Sequence, residues 1–334
     1  MDANQLINSD NFPPTNDKLN VIDHMSKFLG LAVSQLYLLC AFITCYEVIS
    51  RYVFDAPTQW AFETVMVLCA SAWMLSAGYI TLHRRHIGIT VIYIMMDKAK
   101  QWYLDLFAYV IGVIALWLFV DDTLVRAIES VMMTERAGSA WNSPQPLILK
   151  TMLATGAMVY LTQLLVNLYR HFDSEIAKNV VSAVSAFIVF RIIMVFLEHT
   201  LELKGVIAIN EYLGSIAAYL EPTRYVDIRD IGIKWASILI VSLMVLLMMT
   251  GMPLGIVTLF VSILSALFYF GFNGLYLVST NAFGLLEAYP LIAVPLFVLM
   301  ASILEKAGVA EDLFDAMQIF AGKLRGGVAI QTIV

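Results

Sequence analysis

WASILIVSLMVLLMMTGMPLGIVTLFVSILSALFYFGFNGLYLVSTNAFGLL, Trp235 to Leu286, is 52 residues without an Asp, Glu, Lys, Arg or His. One helix of that length would extend about 78 Å, whereas a bilayer core is about 30 Å thick. The run therefore folds into two spans. TGMPLG (Thr250–Gly255) is the place for the turn, with Gly251 and Pro253 as its punctuation.

Working outward, Phe28–Tyr46, Thr64–Leu82 and Thr151–Tyr169 are each 19 residues with no ionisable Asp, Glu, Lys, Arg or His. Trp102–Val120 carries only Asp105, and Asn179–Leu197 only Arg191. Ala288–Leu304, holding Pro290 and Pro295, is an eighth candidate span. The runs are continuous rather than alternating, so the fold class is an all-α polytopic membrane protein and not a barrel. Composition agrees: 60% hydrophobic, 14% charged, mean hydropathy +0.80. The net charge of −6 is modest, and no basic cluster points to nucleic acid as a partner. Cys40, Cys45 and Cys69 lie inside spans without CxxC spacing and read as small hydrophobes.

Lys and Arg in short loops set the orientation. With the N-terminus inside, the inner segments of the first four spans hold Lys18, Lys27, Arg84, Arg85, Lys98, Lys100, Arg170 and Lys178. The outer segments hold Arg51, Arg126, Arg136 and Lys150, and the outer loop after the third span is acidic. Eight against four gives a cytoplasmic N-terminus in a multi-pass membrane protein. The fifth run then crosses to a polar stretch, Glu198–Asp230, in which EYLGSIAAYLEP reads as an interfacial helix. The divisions are a cytoplasmic tail (1–27), a four-span unit (28–172), a linker with one span (173–230) and a second unit (231–334). LRGGVAIQTIV closes the chain inside a new apolar run, so the expectation is the front part of a longer protein.

Between the first two spans, EVISRYVFDAPTQWAFE (Glu47–Glu63) places charges at the edge of hydrocarbon. Glu47 and Arg51 stand at i and i+4 with the acid first, the better order for a helical pair. Arg51, Trp60 and Glu63 are read as a structural elbow fixing the outer ends of two spans, with membrane lipid as their other contact. His83 and His86 in HRRH are two ligands at most, and a basic inner cap is the favoured reading over a metal site. Arg191 is an intramembrane charge within reach of Glu198 or lipid headgroups, and is read as a structural contact between the two units. Pro290 and Pro295, with Ser279–Asn281 before them, read either as a broken helix exposing carbonyls to an ion or as a kinked span after a polar loop, the latter favoured for Ser279–Asn281. Gly326 and Gly327 read as the start of another membrane segment, and with Gly251, Pro253, Pro290 and Pro295 are candidate turns of a transport domain. There is no G-x-S-x-G, HExxH, dinucleotide fingerprint or P-loop, so neither an enzyme nor a self-contained ATP-driven pump is indicated.

Two ordered sets of residues add a resemblance. Arg51-Tyr-Val-Phe54, Pro57, Trp60, Glu63, then RRHIGITVI (Arg84–Ile92) and Trp141-Asn-Ser-Pro-Gln-Pro146 resemble the small membrane subunit of TRAP transporters, over about residues 25–172. TGMPLG, YPLIAVPLFVLMASILEKAGVAEDLFD (Tyr289–Asp315) and GKLRGGVAI (Gly322–Ile330) resemble the N-terminal part of the large subunit. The resemblance implies a fused small and large subunit, the linker span reconciling their opposite ends, with about three spans of the large permease. It further implies a sodium-gradient-driven importer of organic acids, such as C4-dicarboxylates or sialic acid, by an elevator movement in a bacterial inner membrane. Partners would be a periplasmic substrate-binding protein and the remainder of the large permease subunit. Na⁺ would be the coupling ion, with its site mostly beyond Val334. This chain would supply mainly scaffold. Alternatives are a scaffold or sensor without transport activity, and a membrane enzyme using the HRRH histidines with a metal.

Overall fold

The computed structural model describes residues 20–201 and 232–309, with positions 207–209, 212, 214, 215, 312 and 316. Gly326 and Gly327, the N-terminal tail to residue 19 and most of the 198–230 stretch lie outside the described residues. No strand occurs among the described residues. The helices are α1 (Val21–Tyr52), α2 (Ala61–Leu82), α3 (Val91–Ile94), α4 (Lys98–Met132), α5 (Gln145–His171) and α6 (Glu175–Leu201). After the undescribed stretch come α7 (Ile233–Met249), α8 (Leu254–Phe270), a 3₁₀ turn (Gly271–Gly274), α9 (Leu275–Leu286) and α10 (Tyr289–Lys306). Six helical runs among the described residues are long and apolar enough to cross a membrane, counting Leu254–Leu286 as one; α7 is shorter.

The chain is a polytopic helical membrane protein, and its apolar distribution shows why. Phe28, Leu31 and Phe42 of α1 and Val180, Phe187 and Phe190 of α6 are exposed. Such outward faces are favourable in lipid and a liability in water. The inside is close-packed: α5 is the central helix, with α2 on one side and α4 on the other. Gly156 makes the α2–α5 approach possible, since a Cβ there would stand 2.6 Å from the Met74 carbonyl oxygen. Small residues at a helix contact let backbones come close where lipid gives no hydrophobic drive to associate.

We name the two ends of the bundle by the start of α1: proximal for Val21, Leu82, Lys98 and His171, distal for Tyr52, Ala61, Met132 and Gln145. The second region does not form a separate lobe. Met252, Ile256, Val257 and Val261 share one buried cluster with Ile111, Leu116 and Val120 of α4 and Leu161 and Leu164 of α5.

The Thr250–Pro253 turn occurs as expected, Gly251 taking a φ of 84° that only glycine adopts freely. Past it, the expectation of two simple spans needs correction. α8 stops at Gly271 (φ 67°), and α9 has only 12 residues, about 18 Å, too short to cross. Its Tyr276 and Ser279 meet Arg126 and Asp122 of α4, and Phe283 meets Lys150 of α5. Leu286 then joins Met66, Leu149 and Leu153. One face of α9 thus lies across the distal ends of α4, α5 and α2. Ser279–Asn281 are helical, not a loop: Ser279 is buried on this face, while Thr280 and Asn281 are exposed on the same helix. Of the acids expected in the loop after the third span, Asp121, Asp122 and Glu129 lie within the 35 residues of α4, and Glu135 stands in the loop beyond it. Pro290 opens α10 in its first turn, where a missing N–H costs nothing, and the helix continues through Pro295. Pro290 thus starts α10 and does not interrupt it.

A contrast of two glycines tests the packing. Gly156→Val should destabilise the protein by about 1–3 kcal/mol through overpacking against Met74. Gly284→Ala, where nothing lies within 4 Å of an added Cβ, should be neutral or stabilise by up to about 1 kcal/mol. Thermal unfolding of the detergent-solubilised protein separates the two.

Candidate functional site

At the proximal end, Asp23 of α1 is fully buried, and a buried carboxylate needs partners to exist in charged form. Arg170 of α5 supplies a two-pronged contact, Nη1 to Oδ1 at 3.1 Å and Nη2 to Oδ2 at 2.5 Å. Gln163 Nε2 donates to Asp23 Oδ1 at 3.0 Å, and Gln163 Oε1 accepts from the Ser26 hydroxyl at 2.8 Å. Asn167 then donates to the Thr81 carbonyl at 3.0 Å, carrying the network to the last turn of α2. Gln163, Asn167 and Arg170 lie on one face of α5 by helical spacing. Three helices are thus pinned at one level by paired polar groups in an apolar surround.

The loop after α2 begins where that network ends. Thr81 gives its hydroxyl hydrogen to the Ala77 carbonyl at 2.7 Å, so the His86 Nε2, 2.8 Å from Thr81 Oγ1, is the donor there. His86 stacks on Tyr160 with ring centres 5.0 Å apart, and burial holds its imidazole below the usual value of 6.5. His83 instead packs edge-on against Tyr79 at 4.4 Å. The two histidines therefore face different partners and sit past the helix end rather than on a helix; His83, Arg84 and Arg85 are exposed and His86 is half-buried. Arg84 between them adopts a left-handed φ of 50°.

This loop is also the seat of the second region. The Leu254 amide donates to the Ile87 carbonyl at 2.8 Å, tying the start of α8 to the loop. A Cβ on Gly88 would stand 3.1 Å from the Gly251 carbonyl oxygen, and one on Gly251 would stand 3.0 Å from Tyr93 Cβ. Beside the seam is a cavity of about 190 Å³, with Arg84, His86, Tyr93, Asp105, Tyr109 and Tyr160 among its walls. Tyr93 donates to Asp105 at 3.1 Å, and burial with that carboxylate beside it pushes the phenol up to about 12.

At the distal end the elbow closes on itself. Glu47 takes Arg51 at 2.5 Å and also accepts from the Thr58 amide at 3.2 Å and from the Thr58 hydroxyl. Asp55 turns the chain with a φ of 50°, and Trp60, just before α2, stacks on Tyr46 at 6.1 Å. Glu63 does not join Glu47 and Arg51: it is buried and accepts from Ser143, binding α2 to the segment entering α5. Arg191 reaches Asp121 of α4 at 3.3 Å. That contact anchors the linker helix to α4 of the first unit.

Lys150 pairs with Glu135 at 2.6 Å, and the Ser130 hydroxyl donates to the same carboxylate at 2.6 Å. Burial pushes the Glu135 carboxyl up, but Lys150 and Ser130 outweigh it and hold the group below the usual carboxylate value. Glu287, between α9 and α10, is held above its usual value by burial, with Lys150 opposing, and lies 3.5 Å from Gln145 Nε2. A second cavity of about 260 Å³ opens here, with Arg126, Glu129, Lys150, Tyr276, Ser279 and Thr280 on its walls. Arg126 is already committed to Glu129 at 3.1 Å and to the Tyr276 ring at 4.2 Å.

The residues singled out in sequence thus fall into separate places: Glu47, Arg51 and Trp60 in the elbow, Glu63 and Arg191 in two interhelical ties, His86 at the proximal seam. Gly251 and Pro253 shape that same seam. Sequence reasoning missed Asp23, Gln163, Asn167 and Arg170. The spacing of Gln163, Asn167 and Arg170 in an otherwise apolar run was a usable signal. Asp122, Glu135, Lys150 and Ser279 had no such signal, because their partners lie far away in the chain. Chemically, the charges sit at the two ends and are answered by charges or hydroxyls of neighbouring helices, an arrangement suited to holding helices in place.

Comparison with known families gives two matches on this one chain. The family described as "Tripartite ATP-independent periplasmic transporters, DctQ component" matches residues 40–174. The one described as "Tripartite ATP-independent periplasmic transporter, DctM component" matches residues 240–334. No curated protein matches the chain.

Two outcomes follow from the proximal network. Arg170→Met should cost about 3–5 kcal/mol by leaving a buried carboxylate unpaired, and adding Asp23→Asn should recover most of it; a double-mutant cycle by chemical unfolding measures both. The His86 contribution to stability should be complete above pH about 6.5 and lost as pH falls through its depressed folded value, since the unfolded chain then binds a proton the folded one refuses. His86→Phe should flatten that part of the stability-versus-pH curve.

Proposed function

We infer the function from a plain premise: the chain belongs to the tripartite ATP-independent periplasmic (TRAP) transporters and joins a DctQ-component region to a DctM-component region. It is a membrane component of a transporter, not an enzyme. Beyond that premise, the reading is a secondary importer of organic acids, carboxylates such as C4-dicarboxylates or sialic acid. A periplasmic binding protein delivers the substrate and a sodium gradient drives uptake. The proximal face is cytoplasmic in this reading, supported by the eight-to-four excess of Lys and Arg in the segments on that side. The membrane is then the bacterial inner membrane, with the elbow and α9 facing the periplasm.

Within that machine, this chain acts chiefly as the fixed frame. The observation that carries this is the proximal seam: the first hairpin of the DctM region is hydrogen-bonded at Leu254–Ile87 and shares a buried core with α4 and α5. A domain that carries solute across a bilayer needs a broad, lipid-anchored body to move against. The outward apolar faces of α1 and α6, with charges tied off at both ends, fit that body. Arg51, Trp60 and Glu63 keep the periplasmic ends of α1 and α2 in register, and Arg191 holds α6 to the bundle.

The test is uptake of a radiolabelled carboxylate into proteoliposomes by the full-length protein, with its binding protein. Uptake should require both the binding protein and an inward sodium gradient; uptake indifferent to both overturns the reading. Arg51→Ala should lower the membrane level of the protein, with transport falling in proportion. Unchanged level and unchanged transport would remove the elbow from the frame.

A further inference from the structure

We propose that Cys40 and Cys69 form an intramembrane dithiol that a lipid-soluble quinone closes to a disulfide, stapling α1 to α2. The two sulfurs lie 3.5 Å apart, Cys40 on α1 and Cys69 on α2, and both are buried, at 0% and 3% exposure. They form one cluster with Val65, against which Ile43, Leu68 and Leu296 of α10 pack. A disulfide needs sulfurs about 2.05 Å apart, so closing the bond requires the two sulfurs, now 3.5 Å apart, to approach one another.

A groove that stops one side chain, Leu296, short of the pair is a second and independent feature. A cavity of about 320 Å³ lies between α1 and α10, walled by Ala41, Thr44, Cys45, Leu296, Met300 and Ile303 among others. It shares Leu296 with the cover of the cysteines, and its walls are almost wholly apolar. Such a groove excludes ionic or strongly hydrated oxidants and admits a flat apolar ring from the lipid. Quinones are the terminal electron acceptors of protein-catalysed disulfide formation at the bacterial periplasm, and here a quinone accepts electrons from this dithiol directly. The step balances: the two S–H bonds break, one S–S bond forms, and two protons and two electrons pass to the quinone, which leaves as hydroquinone. α1 gains most from the staple, because much of its apolar surface faces outward and its ties to the bundle sit near its two ends.

The experiment uses the full chain in proteoliposomes, treated with tetramethylbenzoquinone, whose substituted ring resists thiol addition, or with ferricyanide, which stays in water. After denaturation and alkylation with N-ethylmaleimide, intact mass counts the free thiols among the three cysteines. The quinone should leave one alkylated thiol, Cys45, while ferricyanide should leave three, and the closed form should unfold at a higher temperature. Cys69→Ser should retain both its remaining thiols under the quinone. Three alkylated thiols after quinone treatment of the natural chain overturn the proposal. So does loss of both thiols in Cys69→Ser, which would assign the bond to Cys45. The mass count on the natural chain stands whether or not the variant folds, and it is indifferent to which solute the transporter carries.

Discussion

Hydrocarbon offers a polar group no partner, and that single constraint organises this molecule. Backbone groups meet it by forming helices, ten of them among the described residues. Side chains meet it by pairing: Asp23 is buried completely, and Arg170, Gln163 and the Asn20 amide all turn toward it. Breaking such a pair strands a charge, so the pairing sets where α1 and α5 must lie relative to one another. The Glu63–Ser143 and Arg191–Asp121 contacts apply the same rule at the distal end.

Since lipid is as apolar as leucine, apolar residues alone do not decide which helices touch. Close approach does. Gly156 lets α2 come against α5, Gly112 admits the side chain of Ile256 from α8, and Gly88 admits the α7–α8 turn. The consequence for function is that the DctM region is built onto the DctQ region instead of hanging from it.

Much of the site was legible in sequence and part was not. Glu47–Arg51 could be read because its spacing is local, four residues on one helix, and Gly251-Met-Pro253 could be read as a turn because an uncharged run of 52 residues must fold. Arg191 could be flagged as an oddity, yet its partner Asp121 is 70 residues away and no period in the sequence points to it. Ser279–Asn281 looked like loop by composition. They are helical because Tyr276, Ser279 and Phe283 fall on one face that meets Arg126, Asp122 and Lys150, a tertiary reason absent from local propensity.

By itself, the sequence determined that the chain is helical and membrane-spanning, roughly where the helices lie, and, through the ordered residues of its two regions, which family it joins. Those follow from the length of apolar runs against the thickness of a bilayer and from local spacing. Only the tertiary structure decided that α9 lies across the distal ends, that His86 turns inward onto Tyr160, and that Asp23 is the carboxylate on which three helices converge. The reason is physical: each depends on the partner a side chain finds once helices pack, and in a medium without water that choice is made in three dimensions.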